Sequence, residues 1–281
     1  MPDYSYRLVN VFADAPLEGN PLCVFEDARG MSDQTMQALA LQFNLSETTF
    51  ILPSATATAR VRIFTPTFEM PFAGHPTLGT AHVVRNLLGT SDAVTLEMKV
   101  GTVPVVASGN QWTLSAREPA TRRPAIGSEQ LARILRLSPQ DIGADVLWVD
   151  TGAEQLIVPL ASVDAVRRAD PDSGRIAEWP RNNMDRSMCY LWAHAGPGAV
   201  ESRFFFTKHT SVIEDPGTGS ACANLGGWML ATAQPLPVAL AVAQGAAAGR
   251  PCHLGLRVTT DREILVSGNV IELGSGVIRL P

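Results

Sequence analysis

The sequence predicts an α+β chain of two related units, each a curled, mostly antiparallel sheet wrapped round one central helix. The first observation is an internal repeat. Gly74-His-Pro-Thr-Leu-Gly-Thr-Ala81 aligns with Glu214-Asp-Pro-Gly-Thr-Gly-Ser-Ala221, matching Pro76 to Pro216, Gly79 to Gly219, Thr80 to Ser220 and Ala81 to Ala221, half the chain apart. The second is that each copy follows an Arg-containing aromatic strand, Arg62-Ile-Phe-Thr65 and Arg203-Phe-Phe-Phe-Thr207. The third is that the segments opening at Pro76 and Pro216 are nearly all apolar, and a helix apolar on every side has to be enclosed on every side. If a pseudo-two-fold axis relates the units, both helix N-termini point into one cleft.

Length and composition agree with two cores. A chain of 281 residues accommodates two domains of about 140 residues each. The expected division is 1–118 plus 268–281, with a return strand near Val277–Leu280, and 119–267. Hydrophobic residues make up 46% and charged residues 17%, so the chain can fold along its whole length. With a formal charge of −5 and scattered Arg, it lacks the basic face that a nucleic-acid partner requires. No apolar run reaches the roughly 18 residues of a membrane span, and the N-terminus lacks signal-peptide character, so no membrane partner and a cytoplasmic location are expected. Cys23, Cys189, Cys222 and Cys252 form no CxxC pair, and free buried thiols are expected.

Along the first half, Tyr6–Phe12 and Leu22–Phe25 read as strands separated by the turn residues Gly19-Asn20-Pro21. Ser32 is an N-cap for a helix carrying Met36, Leu39, Ala40 and Phe43 at helical spacing, and Asn44 suits the left-handed position that ends it. Leu45-Ser46 then turns the chain, and Glu47 stands at the mouth of a strand, Thr48–Leu52. Arg60–Thr65 reads as a further strand, and a helix is expected to begin near Pro76. Several strands follow between Ala93 and Leu114. Arg117–Pro124 reads as a linker and Ser128–Leu137 as a surface helix.

The chemistry follows from the placement of charge. A helix N-terminus offers unpaired N–H groups and a partial positive charge, which suits an anionic group, most simply a substrate carboxylate. His75 and Asp215 take matched positions immediately before the two expected helices. Glu47 is the candidate general base, because a carboxylate in a closed apolar cleft can have its pKa raised toward neutrality and so take and return a proton.

Asn44-Leu-Ser-Glu-Thr-Thr-Phe50, Phe72-Ala-Gly-His-Pro-Thr-Leu-Gly-Thr-Ala81, Glu214-Asp-Pro-Gly-Thr-Gly-Ser-Ala221 and Gly19-Asn-Pro21, with Gln244-Gly245 and Gly249-Arg-Pro251, resemble the PhzF-like phenazine-biosynthesis family across essentially the whole chain. The resemblance implies a diaminopimelate-epimerase-like fold of two barrels, each round a central helix, and an isomerase that moves a hydrogen by acid/base transfer with no cofactor and no metal. It implies Glu47 as the acid/base residue, with His75, Asp215 and Ser220 among the polar cleft residues and Gly74 and Asn20 contacting substrate. Ser46 and Gly219 complete the expected substrate-binding set. A homodimer acting on a small carboxylate substrate is the expected assembly. The related epimerases place one cysteine at the start of each central helix. Here Gly74 and Asp215 stand there, which favours same-face transfer over two-base inversion. An epimerase or racemase, or a non-catalytic binding protein, is the alternative.

Structural readings stand beside these. Glu47 can cap backbone at the helix end, His75 can be a turn residue, and Asp215 can be the N-cap of the helix after Pro216. Ser220 can be a packing residue, Cys222 a buried thiol and His82 a satisfied core histidine. Gly217-Thr-Gly-Ser lacks the Lys of a phosphate loop, and Lys99 and Lys208, the two lysines, stand in no cofactor motif.

Overall fold

In a computed structural model, residues 3–280 are described, and the chain divides into two compact units. Unit 1 holds the residues up to Ser115 and those from Ser267 on; unit 2 is Ala116–Val266.

Unit 1 runs β1 (Asp3–Val11), β2 (Asn20–Phe25), α1 (Asp33–Phe43), β3 (Thr48–Leu52), β4 (Ala59–Phe64), β5 (Glu69–Met70), α2 (Gly74–Leu88), β6 (Ala93–Met98), β7 (Gly101–Ser108) and β8 (Gln111–Ser115). β1 pairs antiparallel with β2, β2 parallel with β3, β3 antiparallel with β4, and β4 parallel with β6, while β5 forms a short hairpin on β4. The sheet continues antiparallel through β7 to β8. The C-terminal strand, Ile264–Arg279, pairs with both β8 and β1. Eight strands thereby close into a barrel round α2. That last strand is much longer than the short return strand expected from the sequence.

Side-chain parity explains why this sheet is covered on both faces, since alternate strand residues face opposite ways. Cys23 and Phe25 on β2 join Phe50 and Phe64 under Met36, Leu39 and Ala40 of α1. Leu22, of opposite parity, meets α2 together with Val9 and Val11: a Cβ on Gly79 would lie 2.7 Å from Leu22 and 2.9 Å from Val11. Gly79 is therefore small because the helix backbone lies against the strands. Residues Gly74 to Val84 of α2 are buried without interruption.

The α1 caps are as the sequence implies. Ser32 Oγ accepts from Thr35 N–H, and Asn44, at φ 51°, closes the helix with its N–H on Ala40 O. α2 begins two residues earlier than expected, so Pro76 is its third residue and His75 lies inside its first turn rather than ahead of it.

Unit 2 contains β9 (Ala120–Arg122), α3 (Ser128–Leu135), β10 (Leu147–Asp150), β11 (Glu154–Pro159), α4 (Val163–Arg168), β12 (Met188–Gly196), β13 (Ala199–Lys208), β14 (Ser211–Asp215), α5 (Gly219–Ala231), β15 (Val238–Gln244), β16 (Cys252–Val258) and the start of β17, the C-terminal strand. Its pairing order is β9-β10-β11-β12-β13-β15-β16, with β14 as a hairpin on β13. Two pairs are parallel, β11 with β12 and β13 with β15, just as β2 with β3 and β4 with β6 are in unit 1. In each unit the second parallel crossover contains a hairpin strand and then the central helix. The repeat read from sequence is thus a repeat of topology.

The linker expected over Arg117–Pro124 is corrected: Ala120–Arg122 pairs with β10, and Arg122 forms two hydrogen bonds to the buried Glu154, at 2.7 and 2.9 Å, while lying 4.9 Å over Trp148. α3 is amphipathic, with Leu131, Ala132, Ile134 and Leu135 buried against Trp148, Leu156 and Leu191. α5 is enclosed: a Cβ on Gly226 would lie 2.8 Å from Ile264, and one on Gly227 2.7 Å from Val149. Among the described residues no helix is long and apolar enough to cross a membrane.

Candidate active site

Glu47 leaves the turn after α1 and directly precedes β3, the helix-to-strand junction expected from the sequence. β3 is clamped between β2 and β4, and Thr49 on β3 shares a 2.8 Å hydroxyl contact with Thr80 on α2. The strand that carries Glu47 is therefore tied to the helix that carries His75. Glu47 Oε2 lies 3.5 Å from His75 Nε2, with the two side chains 15% and 7% exposed.

On the other side of the ring, Asn20 Nδ2 faces His75 Nδ1 at 3.5 Å. Asn20 is wholly buried at the start of β2, opposite Val11. Gly19 makes the turn possible: it has φ +78°, and a Cβ there would meet Val11 O at 2.6 Å. An N–H of the Asn20 amide donated to Nδ1 would place the ring proton on Nε2, toward Glu47. The close carboxylate would favour a charged ring, but burial outweighs it and pushes the His75 pKa down to about 3. His75 is a neutral imidazole at physiological pH. Gly74, also buried, is the first residue of α2, and no side chain caps that helix end among the described residues. Ser46 is exposed in the turn before Glu47.

In unit 2, Asp215 ends β14 and is not the N-cap of α5; the N-cap is Thr218, so the position matched to His75 lies outside its helix. Thr218 Oγ1 donates to Asp215 Oδ2. Buried Gln244 ties the turn together: its Nε2 donates to Asp215 O at 2.9 Å and to Thr218 Oγ1 at 3.0 Å, and its Oε1 accepts from Thr218 N–H at 3.3 Å. Gly245, at φ +82°, lets the chain pass so near that a Cβ would lie 2.3 Å from both Pro216 O and Arg250 O. Gly219 is the buried first residue of α5, and Ser220 Oγ accepts from Gln155 Nε2 at 2.9 Å.

The structure thus brings Asn20, Glu47, Gly74 and His75 together in unit 1, and gathers Asp215, Gly219 and Ser220 at the start of α5 in unit 2. Sequence reasoning noted Gln244-Gly245, and Thr218 within its motif, without giving them a task, and it missed Gln155 and Asn224 altogether. It also missed one part of the repeat. Arg62 forms two hydrogen bonds with Glu69, at 2.8 and 2.7 Å, and stacks over Phe64; Arg203 does the same with Glu214, at 2.9 and 2.7 Å, over Phe205. The acidic residue after each aromatic strand was the available signal. His82 is a core histidine beside Trp112 Nε1 and Asn86. Cys222 is buried within α5, and burial pushes its thiol up to about 12.

A family model described as phenazine biosynthesis-like protein matches residues 9–276. The chain is 37% identical to an uncharacterized isomerase of Pasteurella multocida, covering 99% of this chain and 95% of the relative. It is 33% identical to the trans-2,3-dihydro-3-hydroxyanthranilate isomerase of Pseudomonas aeruginosa, covering 97% and 98%. Among solved structures, a PhzF-family phenazine biosynthesis protein of Bacillus anthracis superposes with a TM-score of 0.88 at 24% identity, covering 100% of both chains. A hydroxyproline epimerase of Agrobacterium vitis does so with a TM-score of 0.64 at 11% identity, covering 98% and 92%. At these identities the two structures establish the likeness of fold alone.

Proposed function

This chain belongs to the phenazine biosynthesis-like family, and we propose that as an isomerase it moves a proton along one face of a small unsaturated carboxylate, with Glu47 as the acid/base residue. The observation that carries the reading is the Glu47 carboxylate set 3.5 Å from a neutral, buried His75. The carboxylate breaks a C–H bond and takes the proton, and the electron pair shifts through the adjacent double bond. Glu47 then returns the proton to another carbon of the same molecule. Atoms balance without an oxidant, and Glu47 ends as it began. His75, with its proton on Nε2, donates toward the carboxylate or the substrate and does not compete for the proton. The uncapped N–H groups at the start of α2 suit the carboxylate of the substrate.

In unit 2, Asp215, Gly219 and Ser220 are the groups proposed to take part. Asn20 and Ser46 remain proposed substrate contacts in unit 1. A substrate of the dihydro-hydroxyanthranilate class is the proposed one, and the name of the 33% identical relative supports that reading. A cytoplasmic homodimer is the proposed working form.

Two-base inversion is the second reading, because an epimerase shares the fold. It is disfavoured because the cysteines are buried in the cores and Gly74 and Asp215 hold the positions of interest. Turnover of trans-2,3-dihydro-3-hydroxyanthranilate in deuterated water tests the choice. Product with a moved double bond supports the isomerase. Exchange with inversion and an unmoved double bond would establish the epimerase, and no turnover or exchange would leave a binding protein.

A further inference from the structure

Inside unit 2 a buried hydrogen-bond chain has its direction set by the backbone. Thr151 N–H can only donate, and it donates to Asn224 Oδ1 at 2.9 Å. Ala153 C=O can only accept, and it accepts from Asn224 Nδ2 at 2.8 Å. The Asn224 amide is therefore oriented from both ends, without appeal to its own symmetric shape. Its remaining N–H then meets Gln155 Oε1, at 2.8 Å. This leaves the Gln155 Nε2 end toward Ser220 Oγ, at 2.9 Å. Asn224 is fully buried, and Gln155 is 3% exposed.

A serine hydroxyl has one hydrogen. Because its oxygen accepts from Gln155, that hydrogen has to point elsewhere, and among the described residues no acceptor meets it. Ser220 is only half-buried, in the first turn of α5. In unit 1 the matched Thr80 is fully buried, and its hydroxyl is already in contact with Thr49 at 2.8 Å. The two copies of the repeat therefore treat this hydroxyl differently.

We infer that Asn224 and Gln155 are positioning residues that hold the Ser220 hydroxyl as a donor directed away from Gln155, ready for an acceptor group of the ligand. Calling that acceptor the substrate carboxylate rests on the function proposed above; the direction of the hydroxyl does not. The chain acts as a polarity filter. It favours an oxygen anion or carbonyl at Ser220 and disfavours a group that can only donate, which would leave two donors facing each other.

Two measurements test this. In a neutron structure of the deuterated wild-type protein, the two Gln155 amide deuteriums are expected on the atom facing Ser220 Oγ, with the Ser220 deuterium turned away. A Ser220 deuterium lying between Oγ and Gln155 would overturn the inference. The second measurement is calorimetric binding of anthranilate, a stable amino-carboxylate. Ser220→Ala is expected to weaken it about tenfold to a hundredfold, and Ser220→Thr, which keeps the hydroxyl, to recover most of that. Gln155→Glu, whose carboxylate would accept the hydrogen bond of the serine hydroxyl and turn it away from the ligand, should weaken binding similarly, and the double variant should be no worse than Ser220→Ala alone. If Gln155→Glu cost as much without the serine hydroxyl as with it, Gln155 would not act through Ser220. If the deuteriums lie as inferred but the wild type binds no anthranilate, the carboxylate reading falls and the hydroxyl direction stands.

Discussion

His75 Nε2 lies 3.5 Å from Glu47 Oε2, yet burial keeps the ring uncharged, with its pKa pushed down from 6.5 to about 3. The sign of the linkage follows. Between those two values the unfolded chain binds a proton at this position and the folded chain does not. The stability contributed by the neutral ring is complete above pH 6.5 and drains away as the pH falls toward 3, by on the order of 4 kcal/mol. His82, also lowered by burial, adds a slope of the same sign. His75→Gln should therefore lose less stability than wild type between pH 7.5 and pH 4.5, as urea denaturation at the two values would show. Equal losses would mean that His75 is charged in the folded protein.

Turnover should depend on Glu47 more than on any other side chain. General acid–base assistance contributes about 10² to 10⁴ in rate. Glu47→Gln, which keeps size and hydrogen bonding, should lose at least about 10² in kcat while still binding substrate in a calorimeter. His75→Ala and Asp215→Asn should fall between that variant and Ser220→Ala. A Glu47→Gln enzyme with near wild-type turnover would move the acid/base role to Asp215.

A proton shift carried by a carboxylate needs no Lewis acid. Activity is expected to survive prolonged dialysis against EDTA unchanged, and added Mg²⁺ or Zn²⁺ should not raise it. Activity lost on chelation and restored by a divalent ion would require a different mechanism.

Local signals made much of unit 1 readable. Ser32 and Asn44 mark both ends of α1 because caps act within a few residues, and Glu47 is where strand punctuation places it. The repeat also exposed the two enclosed helices, since a helix apolar all round has few ways to be buried. What sequence could not supply was the pairing of distant polar groups. Gln155 and Asn224 are 69 residues apart and read separately as ordinary polar residues. Likewise Arg122 looked like linker charge until Glu154 met it across the sheet. The start of α2 was misplaced because Pro is accommodated throughout the first turn, where its missing N–H has no helical partner to lose, so Pro76 did not fix which residue of that turn it was.

The matched arginines should be held by geometry as well as charge. Arg203 forms two hydrogen bonds with Glu214 while its Nη1 donates to Ala169 O at 2.6 Å beyond α4. Lysine keeps the charge but cannot make this fork. Arg203→Lys should therefore lose about 1–3 kcal/mol in urea denaturation, and Arg62→Lys, which faces the same geometry at Glu69, a similar amount. A loss under about 0.5 kcal/mol in both would mean that charge alone suffices.

Gly245 and Gly249 offer a matched pair for testing how the turn before α5 is held. Both have positive φ, +82° and +70°, so alanine at either is strained by about 1 kcal/mol from the backbone alone. Their surroundings differ. Nothing lies within 4 Å of a Cβ built on Gly249, whereas one on Gly245 would meet Pro216 O and Arg250 O at 2.3 Å. Both obstacles are backbone, so they cannot swing aside as a flexible side chain does. Pro216 directly follows Asp215, whose carbonyl and neighbouring Thr218 are bonded by Gln244, the residue before Gly245. Forcing the two strands of chain apart would therefore move Asp215 as well as cost stability. Gly249→Ala should lose about 1 kcal/mol and keep its turnover. Gly245→Ala should lose at least about 3 kcal/mol and, measured at a temperature where it is still folded, turn over at least tenfold more slowly. If the two variants behaved alike in both stability and turnover, the close approach of Gly245 to Pro216 would have no part in holding Asp215.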